Sequence, residues 1–239
     1  MTYVSGFVAA VPTVNRQAFI EHSRSSWPIF RRAGALRMVE CWGEDVPRGK
    51  QTDFYRATQA KEDETPIFSW ILWPDRDSCD RAWASMEAQP EAAEMPPMPF
   101  DGSRMFWGGF RPVVEMGDSA SGRYVQGFVL AVPGDRQQAY IDMARQATPM
   151  FQKFGATFQI ECWGEDVPQG KQTDFYRAAR AEPGEVAVFS WIEWPDRETC
   201  DAAARQMEAE MGSTPMPDMP FDGKRMFWGG FTPVVDERA

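Results

Sequence analysis

The chain of 239 residues carries a formal charge of −10 and is 13% aromatic, which points to a globular protein with a ring-rich interior. A charge of that sign opposes binding to nucleic acid, because such affinity comes from Lys and Arg displacing counterions and no basic run is present. No apolar run reaches transmembrane length, so no membrane contact and a cytoplasmic location are expected.

Residues 3–11 are rich in Val and aromatics and alternate only weakly, as in a strand buried on both faces. They lack the basic start of an export signal and recur at 125–132, deep in the chain. A helix follows over about 14–33, with Thr13 or Asn15 as cap and Gly34 as stop. Pro28 falls inside it, as Pro149 does in the corresponding stretch, and predicts a kink or a division. A second strand over 35–44 ends in the turn chemistry of Val46-Pro47-Arg48-Gly49-Lys50. A short extended piece at 53–56 leads to a third strand over 67–73. Pro74-Asp75 then opens a second helix, with Asp75 and Asp196 as N-caps. A Pro- and Met-rich loop over 90–99 reads as a stiff crossover, since such segments stay extended, with an adaptable lid as the alternative. Past the turn Phe100-Asp101-Gly102, a fourth strand covers 104–114.

From Tyr124 the succession begins again. Residues 3–114 align with 124–235 at one offset and without gaps, about 60% of the pairs being identical. The expected organisation is a first repeat over 1–115, a polar linker over 116–123 and a second repeat over 124–239. A linker of that length spans roughly 15–20 Å, so the repeats lie side by side. Each repeat reads βαββαβ, the ferredoxin-like order of the α+β class. Strand residues of both parities are apolar, Phe68 and Trp70 on one face and Ile67, Ile71 and Trp73 on the other. Neither sheet face can stay in water, and each repeat's open face is expected to cover the other's as an internal pseudo-dimeric α+β barrel.

Four motifs recur in both repeats: Tyr-Val-x-Gly-Phe-Val, Glu-Cys-Trp-Gly-Glu-Asp-Val-Pro-x-Gly-Lys, Phe-Ser-Trp-Ile, and Met-Pro-Phe-Asp-Gly-x-Arg-Met-Phe-Trp-Gly-Gly-Phe. This pattern resembles the YbaA-like family of the dimeric α+β barrel superfamily and covers nearly all of both repeats. The resemblance implies the barrel fold, with this fusion standing in for the family's two-chain dimer. The superfamily includes cofactor-free monooxygenases, isomerases, haem-binding peroxidases and small-molecule sensors, so it implies no single activity.

The longest nearly unchanged segment pairs 40–57 with 161–178. Glu40 and Trp42 share one strand face, as do Glu161 and Trp163. A carboxylate beside an indole in a barrel interior resists ionisation, which makes Glu40 and Glu161 the candidate general bases. The structural alternative is a buried ion pair of Glu40 with Lys50 or Arg104. Asp53, Tyr55 and Arg56, with Asp174, Tyr176 and Arg177, are candidate polar contacts to a ligand, unless they form an ordinary solvated strand edge. Trp42, Trp70, Trp107, Trp163, Trp191 and Trp228 are candidate flat walls.

Cys79 and Cys200 fall on apolar helix faces as buried thiols, and the four cysteines lack metal spacing. His22 is matched by Met143, which excludes His-based chemistry or haem ligation shared by both repeats; no metal and no cofactor are expected. Gly108-Gly109 and Gly229-Gly230 suggest a bulge or close backbone packing. The pairs Trp27/Thr148, Ala33/Phe154, Arg37/Phe158, Leu72/Glu193 and Trp83/Ala204 differ in size or polarity, so the two pockets should not be equivalent. Small-molecule binding or sensing is the leading functional expectation. The alternatives are a cofactor-independent enzyme, isomerase or monooxygenase-like, and a purely structural or interaction module.

Overall fold

The chain, a computed structural model, is described over residues 1–88, 97–119, 124–212 and 218–239. The first repeat contains β1 (Tyr3–Pro12), α1 (Arg16–Arg32), β2 (Arg37–Asp45), α2 (Phe54–Ala57), β3 (Glu64–Trp73), α3 (Arg76–Ala88) and β4 (Phe106–Gly117). The second contains β5 (Tyr124–Pro133), α4 (Gln137–Lys153), β6 (Phe158–Asp166), α5 (Phe175–Ala178), β7 (Glu185–Trp194), α6 (Arg197–Met211) and β8 (Phe227–Arg238). β4 continues two residues into the stretch read as linker. Most of the Pro- and Met-rich loop lies outside the described residues.

Within each repeat the strands pair antiparallel, in the orders β4-β1-β3-β2 and β8-β5-β7-β6. β2 then pairs with β8 and β4 with β6, so all eight close one barrel and no sheet edge is left open. Alternation decides which side chains go inward. On β3, Phe68 and Trp70 join the barrel core, whereas Ile67, Ile71 and Trp73 pack towards the helices.

The barrel interior is filled. Phe68 stacks on Phe189 and Trp70 on Trp191, both at 4.2 Å between ring centres. Gly6 and Gly127 make room for this, since a Cβ there would lie within 3.0 Å of the Phe189 and Phe68 rings. Gly109 likewise lies under the Tyr3 hydroxyl and beside a register shift in the β4–β6 pairing. The expectation of a carboxylate facing the interior is therefore corrected: what lies there is an aromatic core.

Residues 53–56, read as extended, instead form the start of a one-turn helix. The Asp53 carboxylate caps it, accepting from the Arg56 amide at 2.8 Å and the Gly49 amide at 3.1 Å. A helix of four residues is too short to show periodicity. Phe54 plugs one end of the barrel, edge-on to Phe227 and Phe231 of the other repeat at 4.8 and 5.0 Å. Phe175 does the same against Phe106 and Phe110. Thr52 donates to the Ala178 carbonyl and Thr173 to the Ala57 carbonyl, both at 2.5 Å. The segment that differs least between the repeats is thus a seam holding them together.

At the other end, Arg37 reaches from the first repeat to Asp236 at 2.7 Å and lies 3.9 Å from the buried Glu193. This explains two of the unequal pairs: Arg37 and Glu193, each opposite an apolar residue in its own ladder (Leu72 and Phe158), meet across the repeats.

α1 and α4 run unbroken through Pro28 and Pro149. Both prolines sit on the exposed faces of their helices. Gly34 and Gly155, at φ near 100°, end these helices. Asp75 and Asp196 cap α3 and α6 through the Ser78 and Thr199 amides, both at 2.7 Å. Asn15 instead ties the start of α1 to the Pro99 carbonyl. No helix among the described residues is long and apolar enough to cross a membrane.

Candidate functional site

The even-numbered side chains of β2 and odd-numbered ones of β3 turn towards the helices, and they carry Glu40 and Ser69 to the floor of a cavity of about 250 Å³. Phe19 and Phe30 of α1, Phe7 of β1 and Trp83 of α3 wall it with rings. Met98, Phe100 and Met105 cover one side, and His22, Ser23 and Ser26 bring polar groups along α1. At that volume it falls just below the roughly 300–1,000 Å³ of drug-sized pockets.

Among the described residues Glu40 accepts one hydrogen bond, from the Ser69 hydroxyl. No arginine or lysine pairs with it among the described residues, Lys50 included; Arg104, the other expected partner, is instead bound to Glu64 at 2.6 Å. Burial in this apolar setting pushes the Glu40 carboxyl up to about 7, a shift only partly opposed by Ser69. The group is therefore able to hold or release a proton near neutrality, inside a cleft large enough for a reactant.

The second repeat builds a smaller cavity, about 190 Å³, over Glu161. Here the carboxylate is held on both oxygens, by the Tyr140 hydroxyl at 2.5 Å and the Gln159 amide at 2.9 Å. Thr148 in turn donates to Gln159 at 3.0 Å. Burial raises Glu161 as well, but Tyr140, Gln159 and Ser190 all act against it. The first repeat has Phe19, Met38 and Trp27 at the positions of Tyr140, Gln159 and Thr148, so the whole polar chain is absent there. Of these, only Trp27/Thr148 stands out as a change of size. Phe19/Tyr140 and Met38/Gln159 were missed, although Gln159 and Glu161, two apart on one strand, share a face.

The remaining sequence-derived residues do not converge on one place. Trp42 and Trp163 lie on the helix-covered face, packed with Phe19 and Tyr140. Trp70 and Trp191 belong to the barrel core. Trp107 and Trp228 are 39% exposed, and Trp107 stacks on Trp83. Asp53 and Asp174 are buried helix caps, and Arg56 and Arg177 brace the loops before them through the Gly49 and Gly170 carbonyls. Tyr55 lies under the Arg48 guanidinium at 3.7 Å, and Tyr176 is half-buried against the barrel core. All four cysteines are buried free thiols. Among the described residues no group of three or more His, Cys, Asp or Glu side chains is placed to hold a metal ion.

Eight strands closed around an aromatic core, with helices outside and a carboxylate in the cavity under each long helix, define an α+β barrel protein. Solved structures agree on the fold. An anthrone oxidase-like protein superposes at a TM-score of 0.59 with 10% identity, over 100% of this chain and 93% of its own. A candidate monooxygenase from Fusobacterium nucleatum superposes at 0.54 with 8% identity, over 99% and 94%. Another from Lactobacillus acidophilus superposes at 0.53 with 10% identity, over 99% and 96%. At such identities the likeness is one of fold alone.

The chain belongs to the DUF1428 family of proteins of unknown function, whose profile matches twice, at residues 2–102 and 123–223. The uncharacterized protein YbaA of Escherichia coli K12 is 51% identical over 120 residues, which is 48% of this chain and 99% of that one. One YbaA-length unit is therefore present here in tandem.

Proposed function

We propose that the cavity of the first repeat binds a small, flat, mostly apolar molecule and that Glu40 exchanges a proton with it, as general base in a cofactor-independent reaction. The observation that carries this reading is a carboxyl group with a single hydrogen-bond partner among the described residues, poised near neutrality at the floor of a ring-lined cleft. A compound with an acidic C–H conjugated to an aryl ketone suits this cleft: the rings hold the arene, and Glu40 faces the proton to be removed. The anthrone oxidase-like and monooxygenase-like neighbours are compatible with such a substrate, although their fold does not specify it. In this reading the two repeats act as domains over 1–115 and 124–239, joined by 116–123, and together stand in for a two-chain barrel. Four free thiols suit a cytoplasmic protein.

The test is exchange of the acidic C–H of anthrone and related aryl ketones for deuterium, followed by proton NMR with the full-length chain. The wild-type protein should accelerate exchange, Glu40→Gln should lower the rate about 100-fold or more, and Glu161→Gln should leave it nearly unchanged. Grafting the second site's restraints, Phe19→Tyr with Met38→Gln, should slow exchange as well. Equal rates in wild type and Glu40→Gln would refute the base. Saturable binding in the cavity without exchange would leave a binding or sensing protein.

A further inference from the structure

A second kind of site, sharing no lining residue with the cavity of either glutamate, lies at the seam where α2 meets α5. A cleft of about 210 Å³ there is lined by Arg56, Arg177 and Arg180 with Gln51, Gln59 and Gln172, and no carboxylate lines it among the described residues. In a chain with a net charge of −10, three guanidinium groups and three primary amides around one hollow are an unusual concentration of donors. We propose that this cleft binds a compact phosphate-type oxyanion, either free phosphate or the phosphoryl group of a small monoester. This proposal is independent of any role for Glu40.

The cleft is built before any ligand arrives. Arg56 is fastened to the Gly49 carbonyl and lies 3.5 Å from Asp53; Arg177 is fastened to the Gly170 carbonyl and lies 3.2 Å from Asp174. These two carboxylates are buried, with oxygens already engaged by backbone amides, so they hold the guanidinium groups in place without entering the cleft. Both arginine side chains stay about half exposed, with donors left to turn towards a ligand. Planar forks fixed in advance suit phosphate oxygens and lose little freedom on binding.

Arg180 adds the charge that those two carboxylates do not balance. Its side chain has no hydrogen-bond or ion-pair partner among the described residues. It also sits at φ 50°, and Gln59, its counterpart in the first repeat, sits at the same value. This left-handed position ends a one-turn helix and favours glycine. Both repeats instead place a long donor side chain there, aimed along the same cleft, which is a reason to read the position functionally. A polyanion such as nucleic acid would meet the chain's overall negative field, whereas a compact anion meets only the local donors.

The experiment titrates the isotope-labelled full chain with inorganic phosphate and, separately, with phenyl phosphate, at constant ionic strength set by chloride. The readout is the side-chain amide signals of Gln59 and Gln172. Saturable shifts confined to this seam are expected. Arg180→Gln should weaken affinity about tenfold and Gln59→Arg should strengthen it about tenfold, since each changes one charged donor. Both positions are on the surface, so these variants test the cleft without touching the caps beneath it. Tighter binding of phenyl phosphate would identify a monoester as the ligand class, and tighter binding of inorganic phosphate the free ion. The absence of saturable shifts, or equal affinity in wild type and Arg180→Gln, would overturn the proposal.

Discussion

Two glutamates at equivalent positions illustrate how neighbours one bond away set the chemistry of a carboxyl group. Glu161 is restrained by Tyr140 and Gln159; Glu40, with Phe19 and Met38 in their places, has Ser69 alone among the described residues. The parity of β2 already placed each glutamate beside its tryptophan. It did not show which side of the sheet they faced, because both sides are apolar. For Glu40 the folded value near 7 exceeds the ordinary 4.5, so between those pH values the folded chain keeps a proton that the unfolded chain has released. Its stabilising contribution is complete below about pH 4.5 and is lost as pH rises through 7. Glu40→Gln removes this dependence. Relative to the wild type it should gain on the order of 2–3 kcal/mol between pH 5 and pH 8, read from urea midpoints.

The long helices and the strands were legible because each repeats its pattern over several turns or alternations. Their stops and caps were legible from single residues, Gly34, Asp75 and Asp196. The short helices α2 and α5 were not, since a one-turn helix is created by its cap and by the Phe54 or Phe175 plug rather than by periodicity. Asp53 therefore supports the whole seam. Asp53→Ala removes the cap of α2 and the anchor of the Gly49 amide, and should cost about 1–2 kcal/mol, with Asp174→Ala costing a similar amount. Chemical denaturation of each variant measures this. An unchanged midpoint would mean that the Phe54 plug holds the turn without its cap.

In the full molecule each repeat completes the other: β2 needs β8, β4 needs β6, and each aromatic plug fits among the other repeat's rings. Covalent linkage makes that association intramolecular. The full chain should therefore unfold at a temperature independent of protein concentration. Cutting between residues 119 and 124 should yield halves that reassociate and whose melting temperature rises with concentration. Halves that stay apart and folded would show that the shared aromatic core is not what holds the barrel closed.

Duplication, element order and the two-sided apolar character of the strands could all be read from the linear chain, because each is written in neighbouring residues or in a constant offset. Three-dimensional packing decided the rest: that the interior is filled by stacked rings, that the cavities open under the helices, and that one carboxyl group is restrained while its counterpart is not. Those outcomes depend on side chains brought together from distant positions, and no local pattern records which of them will meet.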